Sequence, residues 1–210
     1  MIVYLVQGLT LGLSAGATPG PLQFFLVSRA MSDGWRRALP AAAAPLGSDI
    51  IIVPVVLFLL TRLPTMFLNV IQVVGALFIL YLARGAYQTY RTGHQVDREA
   101  AAHSDAAHQS FLKASLVSLL NPNPYISWST IMGPILLRAW AEASASGVAF
   151  VAGFYVAMVS FNAMLIVLFA RAGDLGPRVA RTVLGISALA LLCLGVYQLW
   201  IGVGRFVQPG

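Results

Sequence analysis

The chain predicts an all-α polytopic membrane protein with six transmembrane helices, and three observations carry that expectation. Hydrophobic residues make up 59% of its 210 residues and charged residues only 10%, where a soluble domain would carry roughly a quarter charged. The apolar residues gather into six runs, 3–28, 38–61, 66–90, 111–136, 147–170 and 181–204, and a helix needs about 20 apolar residues to cross a bilayer. The basic residues between those runs alternate. Arg29, Arg36 and Arg37, then Arg84, Arg91, Arg98 and Lys113, then Arg171, Arg178 and Arg181 fall in alternate connections, and only Arg62, Arg138 and Arg205 fall in the others. That asymmetry places the basic connections in the cytoplasm and both termini outside, and one missed or invented helix would scramble it.

The first run starts almost at Met1 without a preceding basic segment and continues past leader length, so no cleavable signal peptide is expected. It is interrupted by Thr18-Pro19-Gly20-Pro21. Proline removes a helix donor and clashes with the preceding turn. In lipid the freed groups must be buried in protein or face a wet cavity. The opened backbone around Thr18, Pro19, Gly20 and Pro21 is therefore a candidate contact for the amino or carboxylate group of a small ligand.

The second run carries Gly47-Ser48-Asp49. Asp49 is the one acidic residue well inside an apolar run, and a carboxylate at that depth is costly and functional by default. It suits either a proton-coupling role or a partner for an ammonium group. After the third run, 92–110 is polar, with His94, His103 and His108 among acidic residues. It has no apolar face to bury and reads as a flexible cytoplasmic linker, and its histidine spacing fits no compact metal-ligand set. It divides the chain into a first three-helix block (1–91) and a second (111–210).

Three crossings per block make the second enter the membrane from the opposite side, so related blocks would form a 3+3 inverted repeat. The fourth run opens with Asn121-Pro122-Asn123-Pro124, so helices 1 and 4, each the first of its block, are both broken. Matched breaks near the midplane are a pointer to a transporter's binding site. The carboxamides of Asn121 and Asn123 would either meet a ligand or hold the opened backbone in shape. Tyr125, Ser127 and Trp128 follow and are candidate cavity walls. In the fifth run, Asn162 near Ser160 is a candidate polar counterpart or a helix-to-helix hydrogen bond. In the sixth, Gly185, Gly195 and Gly202 with Ala188 allow close packing on a neighbour or on a second protomer of a homo-oligomer. Tyr197 and Trp200 fit interface anchors or packing residues, and Cys193 fits a small buried hydrophobe.

Several classes are disfavoured. The net charge of +6 is spread between apolar runs instead of forming a patch, which argues against nucleic acid. One cysteine cannot form an intrachain disulfide. No histidine lies in an apolar run for haem or metal, no Walker-type phosphate loop appears, and no nucleophile elbow is present. No cofactor, metal or enzymatic role is expected.

Taken together, Pro19-Gly20-Pro21, the basic segment from Ser28-Arg29 to Gly34-Trp35-Arg36-Arg37, Gly47-Ser48-Asp49 and Asn121-Pro122 resemble the lysine-exporter (LysE-type) family of amino-acid exporters, with its homoserine/threonine-efflux branch. The resemblance spans the whole chain. It implies secondary-active, proton-coupled export by alternating access around the two broken helices, with Asp49 as the titrating group, in a bacterial inner membrane. Lysine, arginine, threonine, leucine or an amino-acid-like metabolite all fit as substrate. The rival is a non-transporting membrane subunit, which would give no reason for a deep aspartate beside two broken helices.

Overall fold

The computed structural model describes residues 1–58, 65–92, 104–173 and 176–207, and their regular structure is helical throughout. Helix α1 (Ile2–Ala17) and helix α2 (Pro21–Asp33) meet at a bend of 65°. Thr18 precedes a proline and is extended, at φ −71° and ψ 117°, because the proline ring disfavours the helical region for the residue before it. Pro21 then occupies the first turn of α2, where its missing N–H costs nothing. Gly34 closes α2 at φ +78°, a left-handed conformation that glycine adopts without a Cβ penalty.

The second expected helix forms as α3 (Trp35–Ala38), a 3-10 turn (Leu39–Ala43) and α4 (Ala44–Phe58). Helix α5 (Thr65–Thr92) and helix α6 (Ser104–Leu119) follow. Most of the expected linker, 93–103 with His94 and His103, lies outside the described residues, and from Ser104 the chain is already helical. The fourth apolar run is divided between α6, α7 (Pro122–Ser127), a π turn (Trp128–Met132) and α8 (Gly133–Glu142). At that π turn the Gly133 N–H reaches back five residues to the Trp128 carbonyl, next to Pro134, which has no N–H of its own to give. Helix α9 (Ser144–Gly173) and helix α10 (Pro177–Val207) complete the chain.

Among the described residues four stretches are long and apolar enough to cross a membrane: Trp35–Phe58, Asn69–Arg91, Ser144–Ala172 and Arg178–Gly204. The bent α1–α2 pair makes a fifth if it counts as one span. The stretch from α6 to α8 does not make a continuous spanning helix, since the proline break and the polar residues around it interrupt the run.

Helix α1 packs on α9, α4 on α6, and α5 on α10. Gly8, Gly12 and Gly16 recur every four residues and are buried on one face of α1. A Cβ at Gly8 or Gly12 would collide with the carbonyl oxygen of Phe150 or Phe154, so the two backbones touch. The α10 glycines serve a neighbour within the chain: Gly185, Gly195 and Gly202 sit against Tyr90, Leu80 and Val73 of α5. Cys193 corrects its expectation, being exposed, not buried. It sits beside Leu189, Leu192 and Val196 on an outward apolar face of α10, and in lipid such a face is as apolar as a core. Trp200, at 80% exposure, and Tyr197 share the outward position expected of interface residues.

Among the described residues four apolar clusters hold the bundle, and two of them are the largest. One joins α2, the 3-10 turn, α6 and α9 through Leu22, Phe25, Leu26, Ala42, Val117 and Ile166. The other joins α4, the turns after the second break and α9 through Ile52, Tyr125, Trp128, Met132, Phe154 and Met158. The second cluster surrounds the candidate site.

Candidate functional site

Asp49 lies on α4 one turn after Pro45 and is 6% exposed. Its Oδ2 accepts from the Tyr155 hydroxyl at 2.8 Å and from the Trp128 indole Nε1 at 3.3 Å. Ser48 Oγ stands 3.5 Å from Oδ1 but has a shorter bond to the Pro45 carbonyl, at 3.1 Å. A hydroxyl has one proton to give, and the shorter contact takes it. The ion pair among the described residues is Arg29–Asp33, so no described cation compensates Asp49. A buried carboxylate held by neutral donors alone is costly. It is relieved by taking a proton or by meeting an ammonium group. The aromatic partners are themselves fixed: Trp128 packs edge-on to Phe154 with centroids 5.9 Å apart, and Phe154 packs on Tyr155 at 5.1 Å.

The second break is joined to this site. Pro122 has no N–H for the Ser118 carbonyl, which takes the Asn121 N–H instead at 3.2 Å. The Asn121 side chain accepts from the Asn123 N–H at 3.0 Å and so caps α7. That capping bond withdraws the donor which would have met the Leu119 carbonyl, and the Tyr125 hydroxyl replaces it at 2.9 Å. Tyr125 and Trp128 are buried, Asn121, Pro122, Pro124 and Ser127 are half-buried, and Asn123 is exposed. Trp128, six residues past Pro122, is the residue that carries the break to Asp49.

The first break is satisfied differently. Pro19 deprives the Ala15 carbonyl of its helical donor, and the bend removes the donor of Gly16. The Gln23 amide reaches back from α2 to both, at 3.5 Å to Ala15 and 3.3 Å to Gly16. The Thr18 hydroxyl donates to the Ser14 carbonyl at 2.7 Å. Thr18 and Pro19 are exposed, Gly20 is half-buried and Pro21 is buried. Replacing Gln23 by leucine strips both carbonyls of this donor. The expected loss is about 1–3 kcal/mol of stability, read as a lower unfolding midpoint of the purified protein in detergent.

Asn162 is fully buried on α9 and donates through Nδ2 to the Ala42 carbonyl at 3.3 Å. Pro45, three residues after Ala42, has no N–H to close that 3-10 bond. The Asn162 Oδ1 is buried without a hydrogen-bond partner among the described residues. Tyr155 and Asn162 are seven residues apart on α9, hence on one face and roughly 10 Å apart along the axis. Phe161, beside Asn162, packs on Gly16 just before the first break. Helix α9 thus links three places: Asp49 with the second break, the 3-10 turn, and the approach to the first break. Asp49 is joined to the segment that follows the second break through Trp128, and the first break lies further along α9.

Tyr155 and Gln23 were not evident as site residues in the sequence. Gln23 had a local signal, an amide one turn past a double proline in an otherwise apolar stretch. Tyr155 had none, because its role depends on which face of α9 meets α4. Removing the Tyr155 hydroxyl in Tyr155→Phe deletes the shorter of the two donors to Asp49. A hydrogen bond to a charged group is worth about 1.5–3 kcal/mol, so a fall in stability of about that size is expected. The check is the unfolding midpoint of the purified variant in detergent against that of the unsubstituted protein.

With a proline-broken helix pair and, past a second break, a buried carboxylate that no described cation compensates, the chain has the features of a membrane transport protein. The chain belongs to the LysE type translocator family, whose pattern it matches over residues 13–201, most of its length. Membership implies membrane transport of the amino-acid and metabolite export class. No curated protein and no solved structure matches it.

Proposed function

We propose that this chain is a secondary-active exporter that moves an amino acid or amino-acid-like metabolite out of the cytoplasm, coupled to inward proton movement. The observation that carries the proposal is Asp49, enclosed, without a described cation and bonded to Trp128 just past the second break. A proton arriving from outside neutralises Asp49; its release to the cytoplasm recharges it, and the charged form attracts the ammonium group of the substrate. Alternating access would then exchange the two ligands. Asn162 Oδ1, the opened backbone at Thr18-Pro19-Gly20-Pro21, and the Asn121-Pro122-Asn123-Pro124 segment are the remaining substrate contacts of this reading.

The proposed architecture is six crossings in a 3+3 inverted repeat, with α6 to α8 forming the fourth crossing as a broken counterpart of α1–α2. The helix pairing supports it. Helix 1 packs on helix 5, helix 2 on helix 4 and helix 3 on helix 6, in the forms α1–α9, α4–α6 and α5–α10. Exchanging the two blocks maps that set of pairs onto itself. In this reading both termini face outside and the arginine-rich connections face the cytoplasm of a bacterial inner membrane.

The test is efflux from cells that overproduce the protein and are fed a panel of dipeptides. Accelerated release of one or a few amino acids, over cells with an empty vector, supports the proposal and identifies the substrate. Release equal to the control across the panel would remove amino acids from it.

A further inference from the structure

Between α2, α5, α6 and α10, away from Asp49, lies a cavity of about 380 Å³. Arg29, Arg84 and Lys113 face it from three different helices, with Gln88 beside them, and no acidic residue among the described ones lines it. Arg29 is matched by Asp33 at 2.6 Å and also donates to Ser110 at 3.0 Å. Arg84 and Lys113 bring two further positive charges to the same space. Cations converging on a shared, partly enclosed volume repel unless an anion stands between them.

The rest of the wall narrows the choice of anion. Leu82 and Leu191 close the inner side and are buried. On α5, Leu77 and Tyr81 are exposed apolar residues, and Arg84 and Gln88 continue the same outward stripe at helical spacing. An apolar strip thus runs up to a cationic cavity. A small soluble anion would use the cations and leave the strip idle; an amphiphile uses both. We propose that this cavity binds an anionic phospholipid, with Arg84 and Lys113 on its phosphate and an acyl chain along Leu77 and Tyr81. Basic pockets between membrane helices are suited to such head groups. The orientation proposed above puts the lipid in the cytoplasmic leaflet, but binding itself requires only the cavity and does not depend on export.

Native mass spectrometry of the full chain in detergent tests this with phosphatidylglycerol and with phosphatidylcholine of the same acyl chains. Phosphatidylglycerol is expected to be retained in preference, and R84Q/K113Q is expected to weaken that preference about 30-fold. Arg84→Gln alone, at an exposed position, should weaken it about fivefold and gives the reading if the double variant does not fold. The charge-matched R36Q/R37Q variant, altered outside the cavity, should keep the preference. Equal retention of both lipids, or an equal loss in R36Q/R37Q, would overturn the proposal. So would displacement of phosphatidylglycerol by inorganic phosphate, which would show an anion site that makes no use of the lipid chain.

Discussion

Asp49→Asn is expected to leave the protein folded in the membrane and to abolish concentrative export. Asparagine keeps the shape of the side chain and an oxygen that can accept from Tyr155 and Trp128, the two donors Asp49 holds at 2.8 and 3.3 Å. It cannot take up a proton. One inward charge at ~100 mV is worth about 2.3 kcal/mol, or roughly 50-fold accumulation, and this is the capacity the substitution should remove. Downhill leakage of substrate is the most that should remain. The comparison is the outside-to-inside ratio at steady state, with membrane abundance matched between the two proteins. A variant that accumulates substrate outside as well as the wild type would exclude Asp49 from coupling.

Gly12→Val should lower folding stability severely. Its Cβ would enter the space of the Phe154 carbonyl oxygen, and backbone on both sides leaves nothing flexible to yield. Gly8 meets Phe150 in the same way, one turn earlier, so α1 cannot slide to a free register along this face. Overpacking a well-packed contact costs about 1–3 kcal/mol, and a backbone collision belongs at or above the top of that range. The expected result is loss of the monodisperse protein in detergent, or a sharp fall in its unfolding temperature. Gly204→Val on α10, where a Cβ meets nothing within 4 Å, is the matched substitution and should be tolerated.

The sequence made the breaks and the aspartate legible because each violates a rule of the lipid phase. Proline inside an apolar run and a lone deep carboxylate are both expensive, so their presence carries information without any knowledge of packing. What surrounds them was less legible. Trp128 was visible only as a residue following the second break, and nothing local says that its indole N–H reaches α4. Tyr155 depends wholly on how α9 is rotated. Gly8, Gly12 and Gly16 stood in the sequence at small-xxx-small spacing, and their partner could not be known because such a stripe fits a neighbour in the chain or in another copy. The α10 glycines posed the same ambiguity, and α5 is the neighbour that resolves it.

Cys193 shows the complementary difficulty. A lipid-facing position and a core position are both apolar, so hydrophobicity does not tell one from the other. The fourth run shows a further one. A sum of hydropathy over 111–136 reads as a span, while Asn121 and Pro122 break it into two helical segments, the second passing through a π turn before Pro134.

The most direct test of the central claim is proton movement driven by substrate in proteoliposomes. The substrate identified by efflux would be placed on one side at equal pH, with a pH-sensitive dye on the inside. The account predicts proton flux opposite in direction to substrate flux in the wild type, and none in Asp49→Asn. Substrate movement without proton movement in the wild type, or coupled movement that survives in Asp49→Asn, would contradict it.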